Sequence, residues 1–104
     1  MKNDWWHDRL LIAGFDYVDL YAKDQFSLEI LARRRPVRQT VLMIYNCRVG
    51  RKKIEPIESL PDETKKQLWA LCRPYTTSLS LEECREFVKC YWLLAQLAEI
   101  KENQ

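Results

Sequence analysis

The sequence predicts a mostly α-helical fold, a small single-domain bundle of four to five helices over residues 1–104. Three observations carry that expectation. Apolar residues recur at helical spacing along most of the chain. Only Gly14 and Gly50 are glycine among 104 residues, and the four prolines fall singly, as punctuation between elements. An all-β sandwich or barrel needs turn residues every ~8–12 positions, which so few glycines do not supply. Apolar residues make up 47% of the chain and charged residues 31%, a globular rather than a disordered balance.

In chain order, the first helical pattern covers residues 5–23, where Leu11, Ile12, Phe15, Val18 and Ala22 share one face and Gly14 is a candidate bend. Asp24 is a candidate cap for a second helix through Arg35, carrying Phe26, Ile30 and Leu31, with Pro36 as the interruption. Residues 37–59 read two ways. Val37, Val41, Ile44 and Arg48 have helical spacing, and a helix is the preferred reading. The β-branched and aromatic run from Thr40 to Tyr45, followed by Gly50, also allows a short β-hairpin over residues 40–59. A further helix is expected over residues 62–73, entered through Leu60-Pro61 and stopped by Pro74, with Thr64, Leu68, Leu71 and Cys72 inward. The last element is the clearest. Ser80 and Glu83 form a capping-box pattern, and no glycine or proline follows from Leu81 to Glu102. Its expected core stripe is Cys84, Phe87, Val88, Tyr91, Leu94, Ala95 and Ala98.

No apolar run approaches the ~20 residues that cross a bilayer. The first eight residues place Asp4 and Asp8 where a signal peptide has its apolar centre. A cytoplasmic protein is expected, with Cys47, Cys72, Cys84 and Cys90 as reduced thiols.

Chemistry-bearing patterns are sparse. The single histidine, His7, lies near a terminus and has no local Cys–His signature. Glu82, Glu83 and Glu86 open a helix, where acids stabilise the positive end of the dipole without any catalytic role. The cysteines are too widely spaced for the paired ligands of a structural zinc site. Neither phosphate-cradling glycine loop is present. The expectation is a non-enzyme with no catalytic residues, no cofactor and no metal.

Two features do carry functional information. The formal net charge is +2, but residues 30–54 hold eight cations and no acid. These are Arg33, Arg34, Arg35, Arg38, Arg48, Arg51, Lys52 and Lys53, with the acid-rich segments on either side. If residues 37–49 are helical, Arg34, Arg38 and Arg48 project toward one side. Six arginines to two lysines suit bidentate phosphate contact, and a phosphate-binding surface for DNA or RNA is the expectation. A charge run is also commonly a solvated face, or one neutralised within the fold by its own acids.

The second feature is surplus apolar surface. Leu93, Leu97 and Ile100 lie roughly opposite the main stripe of the last helix, and Trp6, Leu10, Tyr17 and Tyr21 do the same on the first. A helix apolar on two sides is either packed centrally or offers one side to a partner. Trp5, Trp6, Leu93, Leu97 and Ile100 are therefore the expected protein-partner or self-association surface, with Trp5 and Trp6 as aromatic anchors. The competing expectation places Trp5, Trp6, Trp69 and Trp92 together in one core.

These features suggest a non-catalytic nucleic-acid-binding accessory protein, a small helical subunit of a larger nucleoprotein assembly. In format alone it is similar to the small helical subunits that line nucleic-acid grooves in CRISPR effector complexes. The similarity rests on size, helicity and charge layout and on no motif. The alternative is a protein–protein adaptor or inhibitor whose basic segment docks on an acidic protein surface.

Overall fold

The computed structural model describes residues 25–52 and 54–102. Among them are four α-helices, two single-turn 3₁₀ segments and no strand. The helices are α1 (Gln25–Arg33), α2 (Arg35–Gly50), α3 (Asp62–Cys72) and α4 (Leu81–Glu102). The predicted helix over residues 5–23 and the Asp24 cap lie outside the described residues.

Residues 40–59 do not form a hairpin. The run Thr40–Tyr45 lies inside α2, because Val37, Val41, Ile44 and Tyr45 make one apolar line that the core buries. β propensity describes fit to a half-buried surface, and a helical stripe meets that need as well.

A break at Arg34, whose backbone is extended (φ −108°, ψ 92°), separates α1 from α2. Pro36 explains it. Continuing α1 would need the residue-36 N–H to reach the Ala32 carbonyl, and proline has none. Pro36 instead sits in the first turn of α2, where no donor is required.

Downstream of α2, residues 54–60 are pinned rather than loose. Ile54 and Leu60 are buried. The Tyr45 hydroxyl accepts from the Ile57 N–H at 2.8 Å, and the Trp92 indole donates to the Glu55 carbonyl at 2.7 Å. Burial of Tyr45 raises its phenol above its ordinary value, against the lowering effect of the Ile57 N–H.

Asp62 and Glu63 occupy the first turn of α3, where the helix dipole favours acids. Pro74 then converts its end into a tight 3₁₀ turn, Arg73–Tyr75. Leu68 and Cys72 are buried as expected, but Leu71 is 56% exposed. The buried line is centred between Leu68 and Cys72, and at 3.6 residues per turn Leu71 falls about 80° from it.

Helix α4 starts with the predicted capping box. The Ser80 Oγ accepts from the Glu83 N–H, and Glu83 Oε1 accepts from the Ser80 N–H, both at 3.2 Å. It packs against α1, α2 and α3, so its buried arc is far wider than one stripe. Phe87, Val88, Cys90, Leu93, Leu94 and Leu97 are all buried in the core. Burial pushes the Cys72 thiol up to about 12 and that of Cys90 higher still.

Candidate nucleic-acid interface

Sixteen residues of α2 span about 24 Å at 1.5 Å per residue. That rod divides the basic segment. Arg33, Arg34 and Arg35 are exposed at its N-terminal end, and Arg51 and Lys52 are exposed at its C-terminal end. Lys53 lies outside the described residues. Arg33 pairs with Glu29 at 3.0 Å, one turn earlier on α1, and keeps 72% of its side chain exposed. Lys52 has a left-handed backbone, φ 60°, where the chain leaves α2.

One of the expected contacts is corrected, and a second is partly covered. Arg38 is 1% exposed and is not available to a phosphate. Its Nη1 donates to the carbonyls of Leu31 and Ala32, and its Nη2 donates to Glu83 Oε2 at 2.8 Å. Glu86 stands 3.8 Å from its Nε. Those two carbonyls lost their helical donors at the α1–α2 break, so Arg38 caps the end of α1 and ties it to the start of α4. Arg48 is half-buried, and its Nε is buried with no hydrogen-bond partner. Seven residues beyond Val41, it lies about 20° from it around the helix. Arg38 and Arg48 lie about 80° apart around α2, to either side of the buried Val41.

The expected partner surface also changes. Leu93 and Leu97 are 0% and 6% exposed, core residues because α4 is surrounded by the other three helices. Trp5 and Trp6 lie outside the described residues, as does the side chain of Ile100. Of the two described tryptophans, Trp69 remains 38% exposed and Trp92 is half-buried.

Beside the N-terminal cluster a polar cleft of about 900 Å³ opens between α1, the start of α2 and the turn that leads into α4. Arg33 and Arg35 border it with Tyr75, Thr77 and Ser78, while Glu29 and Glu83 bring negative charge to the same cleft. Guanidinium groups next to hydroxyls are the donor set that contacts phosphate and sugar. The Ser80 N–H is the main cause holding Glu83 below the ordinary carboxylate value, with smaller contributions from Arg38 and Arg35. Glu83 thus joins a helix cap, a buried arginine and the cleft. The sequence predicts only the cap for Glu83, because Arg38 is 45 positions away in the chain.

Among the described residues no three metal-binding side chains come together, and no helix is long and apolar enough to cross a membrane. The described part is thus a helical bundle with a divided cationic surface and a polar cleft at one end of it. Compared with known proteins, the chain matches no family model, no curated sequence and no solved structure.

Proposed function

We propose that the chain is a non-catalytic nucleic-acid-binding accessory protein of the cytoplasm, a small helical subunit of a larger nucleoprotein assembly that grips the phosphate backbone. One observation carries the reading: five exposed cations, four of them arginine, stand in two groups at the ends of α2 on a segment without acids. A rod of about 24 Å spans roughly seven base pairs of duplex at 3.4 Å per step. The two groups would then hold phosphates at both ends of a short site, without reading bases.

Titration of labelled single- and double-stranded DNA and RNA by fluorescence anisotropy, at several salt concentrations, tests this. With five exposed cations as the upper bound on contacts, the log–log salt slope on duplex is expected no steeper than about −4.5, where eight would give about −7. A double Arg35→Glu, Arg51→Glu variant leaves the core untouched and is expected to abolish binding with helicity intact. Absence of binding at low salt overturns the reading.

A second reading, an adaptor whose basic segment docks on an acidic protein, is favoured by a specific observation. Arg33 and Arg38 are already engaged by carboxylates of this chain. It predicts no dependence of binding on oligonucleotide length.

A further inference from the structure

A second groove shares no residue with the polar cleft. It is about 370 Å³ and runs between α3 and α4. Lys65 and Trp69 line one wall, one turn apart on α3, and Arg85 and Lys89 line the other, one turn apart on α4. Its floor is apolar, made by Val88 and Ile57.

Three properties define what fits. The first is apolar: Trp69 keeps 38% of its surface exposed although the core is adjacent. An indole in that position offers a large contact area at low entropic cost, the kind of anchor that dominates protein interfaces. The second is charge. Lys89 is paired with Glu58 at 3.4 Å, whereas Arg85 and Lys65 make no ion pair among the described residues. The groove therefore holds two cations beyond its neutral pair. The third is length. A spacing of one turn on each wall is about 5.4 Å, room for a single side chain and its immediate neighbours.

We propose that this groove docks a short acidic segment of a partner protein, with one aromatic or aliphatic side chain against Trp69 and Val88 and flanking carboxylates on Lys65 and Arg85. A nucleic-acid backbone fits it less well. Glu58 places a carboxylate inside the groove, and the apolar floor asks for a hydrocarbon side chain rather than a phosphate. The proposal is independent of the phosphate surface on α2, so the chain would carry a protein-binding site and a nucleic-acid site on separate residues.

The test is a nitrogen-15 NMR titration of the full chain with a short capped peptide of one central phenylalanine flanked by glutamates. A lysine-flanked peptide and an oligothymidylate serve as comparison probes. The expected result is a set of shifts at the Trp69 indole, Ile57 and Val88 with the acidic peptide alone. The variants Lys65→Gln, at a half-buried position, and Arg85→Gln, at an exposed one, are expected to weaken it together by about tenfold, or 1.4 kcal/mol. Arg35→Glu, Arg51→Glu should leave peptide binding unchanged, which separates this site from the phosphate surface. Three outcomes overturn the proposal: no shifts at the groove, equal binding of the lysine-flanked peptide, or displacement of the acidic peptide from Trp69 by the oligothymidylate.

Discussion

Arg38 and Lys52 look alike in the sequence, as members of one basic run, and the structure gives them opposite duties. Arg38 supplies hydrogen bonds to the Leu31 and Ala32 carbonyls and an ion pair to Glu83. Glu83 keeps 36% of its side chain exposed, so the cost of removing Arg38 falls on the two buried carbonyls left without donors, about 1–3 kcal/mol each. Arg38→Ala is expected to lose that much in urea unfolding. Arg38→Lys is expected to recover only a minor part, since an ammonium lacks the planar fork that spans two carbonyls and a carboxylate. Loss of less than about 1 kcal/mol in Arg38→Ala contradicts the capping role. Lys52 presents the reverse case. The left-handed position just past a helix end normally takes glycine, and an L side chain there costs roughly 1–2 kcal/mol. Lys52→Gly should raise stability by about 1 kcal/mol, read as a melting temperature higher by about 4–8 °C, while removing one phosphate contact.

At the scale of the element, α4 depends on its first turn. Ser80→Ala removes the hydroxyl that accepts the Glu83 N–H, and a loss of about 1 kcal/mol is expected in thermal melts. Glu83 makes the same turn sensitive to acid. Its folded value is held below that of the unfolded chain, first by the Ser80 N–H. Its stabilising effect is therefore complete above the ordinary carboxylate range near pH 4.5 and is lost as pH falls through the depressed folded value. Glu83→Gln keeps a capping amide but no titration. The wild-type advantage over it, followed as melting temperature against pH, should be constant at neutral pH and vanish on acidification. An advantage that grows on acidification contradicts the assignment.

Across the whole molecule, burial sorts the four thiols. Cys72 and Cys90 are fully buried with raised ionisation values, while Cys47 and Cys84 are half-buried. A thiolate is the reactive form, so a thiol reagent at mildly alkaline pH should label two cysteines readily and two only at the rate of unfolding. Mass spectrometry of the partly labelled protein identifies which. Early labelling of Cys72 or Cys90 contradicts the packing of α4 among its three neighbours. The same packing explains why the surplus apolar residues Leu93 and Leu97 are core. A helix that touches three others has no second face to spare.

Local chemistry by itself determined α1, α3 and α4 within a residue or two at most ends, while residues 40–59 stayed open between a helix and a hairpin until the core placed them in α2. Pro36, Pro74 and the Ser80–Glu83 pair are signals whose effect stays inside one turn of backbone. It also determined that positive charge concentrates in residues 30–54. What only the tertiary structure decided is which of those cations meet solvent and which apolar side chains do. Arg38 turns inward because its acceptors, Leu31, Ala32 and Glu83, are assembled by a chain break and by a helix 45 positions away. Trp69 stays partly outside because α3 contacts α4 along the neighbouring line of Leu68 and Cys72. Periodicity tells which residues share a side of a helix. The direction that side faces depends on how many helices pack around it, and that is a property of the assembled bundle.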